Sequence, residues 1–255
     1  MAPGDLPMSR PLTTIAADLH VHTVLSACAE VEMIPPLIVR RARELGLGLI
    51  AITDHNAAAN CAAVMQAAEG TELRVLPGME TQTTEEVHVL CLFDAVEQAL
   101  AWQGIVFDHL PDQTNPEELL GAQYVVDATG EYIRTETRFL AASTDLTLEE
   151  TIERVRGLGG MTIPAHIDRP SFSLLANLGF VPPHLDVPAL EVFRHTDVAA
   201  LLARHPDLGR WPLIRSGDAH RLDELRPAIR FGIGEPTVTE VRAALAHRDG
   251  RTFTI

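Results

Sequence analysis

His20 and His22, in Asp-Leu-His-Val-His-Thr, lie two residues apart and so share one side of an extended segment. Asp218 and His220, in Ser-Gly-Asp-Ala-His, repeat that spacing far along the chain. Between them come Asp54 and His55 in Ile-Thr-Asp-His-Asn, Glu80 in Pro-Gly-Met-Glu, His88 and His166. Imidazole and carboxylate are the groups that divalent transition metals favour. The set His20, His22, His55, Glu80, His88, His166, Asp218 and His220 exceeds the three or four ligands that one tetrahedral ion takes, so two or three ions are expected, with manganese, zinc and iron all compatible. Asp18 and Asp54 adjoin candidate ligands and are expected to orient those imidazoles by accepting their other N–H.

These residues need elements that bring them together. Short apolar runs predict strands at Ile15–Leu19, Gly48–Thr53, Leu73–Leu76, Val87–Phe93, Met161–Ala165, Ala189–Phe193, Leu213–Ser216 and Phe231–Ile233. Helical periodicity lies between them. Pro35 and Pro36 open one helix, Ala-Ala-Asn-Cys-Ala-Ala-Val-Met is a second, and Thr147 with Glu150 and Thr237 with Glu240 are spaced as capping boxes for two more. Such alternation predicts an α/β fold with a mainly parallel sheet, and the candidate ligands fall at or near the C-terminal strand ends, where loops of such folds converge. The stretch from about 103 to 145 breaks the rhythm with turn signals and one short strand, Gln123–Val126, and reads as an insertion or lid within a single domain spanning 1–255.

The chain has 255 residues, 46% of them hydrophobic, enough for a substantial core. Its 35 acidic and 20 basic residues give a net charge of -15, from which no extended nucleic-acid partner and no anionic membrane partner are expected. Lysine is absent, so Schiff-base chemistry and a phosphate-loop lysine are excluded. The first dozen residues lack the apolar run of a secretory signal, and Cys28, Cys61 and Cys91 have no framework spacing. A cytoplasmic protein is expected.

The motifs at His20 and His22, Asp54-His55, Glu80, His88, His166-Ile-Asp-Arg-Pro and Asp218-Ala-His220, in this order, resemble those of the PHP superfamily, named for polymerase and histidinol phosphatase. The resemblance spans roughly Asp18 to His220 and implies a distorted (β/α)7 barrel with a trinuclear metal centre that hydrolyses phosphate esters. It implies that His20, His22, Glu80 and Asp218 hold a first ion, that Glu80 bridges to a second held by His88 and His166, and that His55 and His220 hold a third. The chain departs from the commoner pattern where a further third-ion ligand would stand: Ala27 and Cys28 occupy that place, with Cys28, Glu30 or Glu32 as substitutes.

The function expected is hydrolysis of a small phosphomonoester such as a nucleotide by metal-activated hydroxide. Arg169, directly after a candidate ligand's loop, is expected to grip the phosphate with its planar fork. The alternatives are a phosphodiesterase or exonuclease acting on short oligonucleotides or nucleoside bisphosphates, a carbon–nitrogen hydrolase, and a non-catalytic metal-binding domain. His109 and His195 are the remaining histidines available to protonate a leaving group, and His184, His205 and His247 read as solvated.

Overall fold

The computed structural model describes residues 11–255. The reading that no secretory signal is present falls mostly on residues 1–10, outside that range. Among the described residues eleven strands form: β1 (Thr13–Val21), β2 (Leu49–Ile52), β3 (Arg74–Gln82), β4 (His88–Leu92), β5 (Tyr124–Val126), β6 (Tyr132–Thr135), β7 (Met161–Pro164), β8 (Leu190–Val192), β9 (Leu213–Arg215), β10 (Ile229–Ile233) and β11 (Thr252–Thr254). The helices are α1 (Pro35–Glu44), α2 (Cys61–Ala67), α3 (Val96–His109), α4 (Glu117–Leu120), α5 (Leu148–Gly157), α6 (Leu174–Asn177), α7 (Val198–Arg204) and α8 (Val238–Leu245).

A seven-stranded sheet runs in the order β11-β10-β1-β2-β3-β4-β7, and β8 and β9 form a separate parallel pair. Short links curl these into a distorted barrel. Ile167 N–H donates to Glu191 O on β8 (2.8 Å), while His22 N–H donates to Ala219 O (2.9 Å) and Ala219 N–H to His20 O (3.0 Å) beyond β9. The mainly parallel pattern expected is only partly present: β1–β2 and β2–β3 are parallel, but β3–β4 and β4–β7 are antiparallel. The Thr83–Val87 connection between β3 and β4 is too short for a crossover helix, so it can only return the chain as a hairpin.

Leu19, Leu49, Leu76, Leu90, Ile163 and Ile214 fill the barrel interior, and Phe231 of β10 with Val241 of α8 joins the same cluster. The outer layer packs Ile38 and Val39 of α1, Val64 of α2 and Ile152 and Val155 of α5 against the other strand faces. On β3, Leu76 belongs to the interior, and alternation carries that face on to Glu80 and Gln82; on β4, Leu90 and Leu92 share a face with His88. The two strands therefore turn polar along one face as they reach the rim.

The capping box at Thr147 forms in full, with Glu150 N–H donating to Thr147 Oγ1 (3.2 Å) and Thr147 N–H to Glu150 Oε2 (2.9 Å). At Thr237 only half forms, because Glu240 accepts from Gly234 N–H and Arg251 instead. Helix α3, which burial of Ala99, Trp102 and Val106 holds against the barrel, occupies the start of the stretch read as an insertion. The excursion after it contains the β5–β6 hairpin and is bolted down, since Asn56 Nδ2 donates to Leu140 O and Ala142 O (2.8 Å each). Among the described residues no helix is long and apolar enough to cross a membrane.

Candidate metal centre

A local irregularity aims the first two histidines. Between Asp18 and Val21 the β1–β2 register slips, three steps on β1 matching two on β2, so the inward face passes from Leu19 to the His20–His22 pair. His166 (φ 27°) and Asp218 (φ 48°) adopt left-handed backbone, a strained choice for residues with side chains that recurs at functional sites. Gly217, beside Asp218, has no room for a Cβ, which would meet Asp18 Oδ2 at 2.5 Å.

The structure brings all eight expected residues together around Glu80, itself buried on β3. Glu80 Oε1 lies 2.9 Å from His88 Nδ1, 3.0 Å from His166 Nε2 and 3.2 Å from His20 Nε2. Its Oε2 lies 3.1 Å from His55 Nδ1 and 3.5 Å from His22 Nε2. Asp218 Oδ1 stands 3.5 Å from His20 Nε2, 3.6 Å from His22 Nε2 and 3.5 Å from His220 Nδ1. Three groups are compact enough to share an ion: His20, His22 and Asp218; His55, Glu80 and His88; and His22, His55 and His220.

The hydrogen bonds fix which ring atoms face inward. His20 Nδ1 lies 3.2 Å from both carboxylate oxygens of Glu191, a buried residue of β8, and so carries the proton. His22 Nδ1 meets Ser26 Oγ at 3.0 Å, and the single hydroxyl proton of Ser26 goes to Asp54 Oδ1 (2.7 Å), so His22 must be the donor there. With both Nδ1 atoms engaged, the Nε2 atoms of His20 and His22 face each other at 3.2 Å, beside a buried Asp218 Oδ1 that has no hydrogen-bond partner. Two ring nitrogens and an orphaned carboxylate oxygen converge at one place, an arrangement held by positive charge: a proton on His20 in the metal-free chain, or a divalent ion in its stead. The donor set fits divalent ions.

Burial drives both imidazoles toward the neutral form. At His20 the carboxylates of Glu80, Glu191 and Asp218 outweigh it and raise the pKa well above the ordinary 6.5, whereas at His22 burial, reinforced by His220, holds it well below. Burial pushes the Cys28 thiol upward, but His55 and His220 prevail and bring it down to about 6. Cys28 is thus turned toward the ring pair expected to hold the third ion. Glu30 is drawn off by Arg221 (3.0 Å), and Glu32 is exposed.

Asp18 and Asp54 do not do what was expected of them. Asp18 accepts from the backbone N–H groups of Gly217 (2.8 Å), Arg226 (3.1 Å) and His20 (3.3 Å), so it ties the Asp218 loop to β1 rather than orienting a ring. Asp54 reaches His22 only through Ser26. A carboxylate that does hold a ring directly is Glu191, which sequence reasoning missed; a lone carboxylate among Ala189, Leu190 and Val192 in a strand is the signal that was available. Replacing Glu191 with Gln is expected to weaken metal binding by about ten- to a hundredfold, read by titrating the metal-free chain with manganese or zinc. Unchanged affinity would show that His20 needs no such support.

Arg169 Nη1 donates to Asp218 Oδ2 at 3.1 Å, which places its guanidinium at the edge of the cluster. Asp168 is not its partner, being engaged by Phe193 N–H (2.7 Å) and the Thr196 hydroxyl. His109 pairs with Asp145 (2.5 Å), His184 with Glu149 (3.3 Å), and His195 is exposed beside Arg194, so none of the three joins the cluster.

A family model described as the PHP domain matches residues 18–156. This chain belongs to the PHP domain family. No curated protein matches the sequence. Among solved structures, the lesion-specific endonuclease Q of Pyrococcus furiosus is similar in fold, with a TM-score of 0.67 at 20% identity over 95% of this chain and 58% of that one. The same holds for endonuclease Q bound to a 27-mer duplex with an abasic lesion at its active site, with a TM-score of 0.64 at 19% identity over 94% and 58% of the two chains. This PHP chain thus spans 58% of the length of those enzymes. A provisionally assigned metal-dependent phosphoesterase from Bifidobacterium adolescentis matches with a TM-score of 0.55 at 21% identity over 91% and 96%.

The exclusion of an extended nucleic-acid partner does not stand, because this fold occurs in a protein solved on duplex DNA. A net charge of -15 is a sum over the whole surface, while contact with a phosphate is local. The loops that carry Asp218 and His220 also carry Arg169, Arg194, Arg221 and Arg226 or touch them.

Proposed function

We propose that this PHP chain hydrolyses phosphate esters, with divalent ions held by His20, His22, His55, Glu80, His88, His166, Asp218 and His220. The observation that carries the reading is the convergence of the His20 and His22 Nε2 atoms, 3.2 Å apart, on Glu80 and the orphaned oxygen of Asp218. Bound there, the ions would act as Lewis acids on phosphoryl oxygens and lower the pKa of a bound water. The protein's own part is positioning. Glu191 and Ser26 hold two rings in one tautomer, and Gln82 Oε1, 3.3 Å from His88 Nε2, turns the Nδ1 of that ring to Glu80. Arg169 can exchange its bond to Asp218 for two phosphate oxygens.

The substrate reading from the sequence is a small phosphomonoester such as a nucleotide. A phosphodiester, in nucleic acid or a short fragment of it, is the second reading, supported by the fold shared with endonuclease Q. The test is release of phosphate or of nucleotide from mononucleotides, nucleoside bisphosphates, short oligonucleotides and a duplex with an abasic site, with manganese or zinc and with chelator. Chelator-sensitive turnover that disappears in His20→Ala is expected. Tight metal binding without turnover on any substrate would leave a non-catalytic metal-binding domain or a carbon–nitrogen hydrolase. Arg169→Ala is expected to lower kcat/KM about tenfold or more, mainly through KM, since one charge-assisted grip on phosphate is lost. Unaltered kinetics would remove Arg169 from the site.

A further inference from the structure

A cavity of about 90 Å³ opens beside the metal centre, between the barrel rim and the excursion that follows α3. His55 belongs to both places: its ring lines the cavity, and its Nδ1 lies 3.1 Å from Glu80 Oε2. Ala27, Leu120, Leu140 and Ala141 supply most of the remaining wall; Ser26 and Cys28 complete it beside His55, the Ser26 hydroxyl spent on Asp54 and the Cys28 thiol directed to His55 and His220. The one amide in it, Gln123, has both of its N–H groups spent on the protein. Its Nε2 donates to Glu136 O (2.8 Å) and Arg138 O (2.6 Å), and its Oε1 accepts from Leu140 N–H (3.2 Å).

These walls are held in place before any ligand arrives. Leu140 packs with Leu25, Ala57 and Val125, and Asn56 clamps the carbonyls on either side of Ala141. Gly121, at φ 96°, brings the end of α4 so close to the rim that a Cβ there would stand 3.0 Å from Ala27 O. A volume of about 90 Å³ is roughly three water-sized groups at about 30 Å³ each. No lysine or arginine lines it, so a second phosphate has nothing to pair with there.

We propose that this cavity is an apolar subsite for the first three or so carbons of the group attached to the phosphate, and that the chain selects phosphate esters whose organic part begins with an uncharged hydrocarbon segment. The inference rests on the phosphoester reading above. Because His55 is shared, a phosphate at the ions places its nearest substituent at the cavity mouth. Burial of each methylene there favours binding about fourfold.

The test uses the full chain loaded with manganese and calorimetric titration with methyl-, ethyl-, propyl- and butylphosphonate, which cannot be hydrolysed. Affinity is expected to rise about fourfold per methylene up to propyl and then to level off. Ala141→Leu, which fills the cavity, is expected to remove that slope, and Ala141→Gly to move the plateau to a longer chain. The readout is the slope within each protein, so a uniform loss of affinity does not count. A flat series in the unmodified chain, with methylphosphonate bound, overturns the subsite and leaves the phosphoester reading standing, and so does an unchanged slope in both variants. Failure of every phosphonate to bind the manganese-loaded chain overturns the phosphoester reading, and the subsite with it.

Discussion

Glu80→Gln is expected to lower phosphate release by about a thousandfold or more while leaving the chain folded, because one carboxylate serves every part of the cluster. Five imidazoles stand within 3.5 Å of its two oxygens. Burial raises the pKa of Glu80, but the charges of His88 and His20 and the bond from His166 outweigh that and keep it well below the ordinary 4.5. Its negative charge is therefore present wherever the enzyme would work. Glutamine has the same shape without the charge, and its NH2 group can donate to a ring nitrogen that would otherwise face a cation. Because the lowered Glu80 pKa stabilises the metal-free fold above the ordinary carboxylate range, the variant should lose part of its metal-free Tm at neutral pH while remaining folded, and retain little manganese after desalting. Metal analysis and phosphate release on the same sample check this. A variant that keeps both its metal and its turnover would place the ions away from Glu80.

Much of this arrangement was legible because apolar runs and ligand positions coincide along the chain. β2, β4, β7, β8 and β9 lie within a residue or two of their expected spans, since each is a short apolar run, buried on both faces in all but β9. Long-range pairing extended others past their apolar signal. β3 continues through Glu80 to Gln82 because β4 pairs with it as far as His88, so Glu80 lies inside a strand rather than after one. The slip between Asp18 and Val21 leaves no mark in composition, yet without it His20 and Leu19 could not both face the barrel axis. Helix α3 runs into the stretch read as an insertion although Gly104, Ile105, Val106 and Phe107 are poor helix formers, because packing of Trp102 over Thr81, with an indole bond of 3.0 Å, overrides that. Glu191 acts from across the barrel, and only closure of the strands reveals its partner.

Saturating manganese is expected to raise the Tm of the metal-free chain by roughly 8–16 °C, and by more at pH 8 than at pH 6. An ion present at about a thousand times its Kd contributes about 4 kcal/mol, and a chain of this size gains about 2–4 °C per kcal/mol. The pH dependence follows from the rings that the ions must occupy. Burial disfavours charge on His20 and His55, but Glu80, Glu191 and Asp218 at the first and Cys28 and Glu80 at the second raise both pKa values well above 6.5. A raised folded-state pKa stabilises the metal-free chain fully below the unfolded value, and that stabilisation fades as pH climbs through the folded value. Metal-free Tm should therefore fall with rising pH in that window. The ions need the same rings unprotonated, so their affinity rises over the same window and the two trends add. His22, held well below 6.5, is already neutral there and contributes no proton to the exchange. Thermal melts with and without manganese between pH 6 and pH 8 measure both slopes. A manganese shift that does not vary with pH would mean that the ion binds carboxylates alone, away from the histidine cluster.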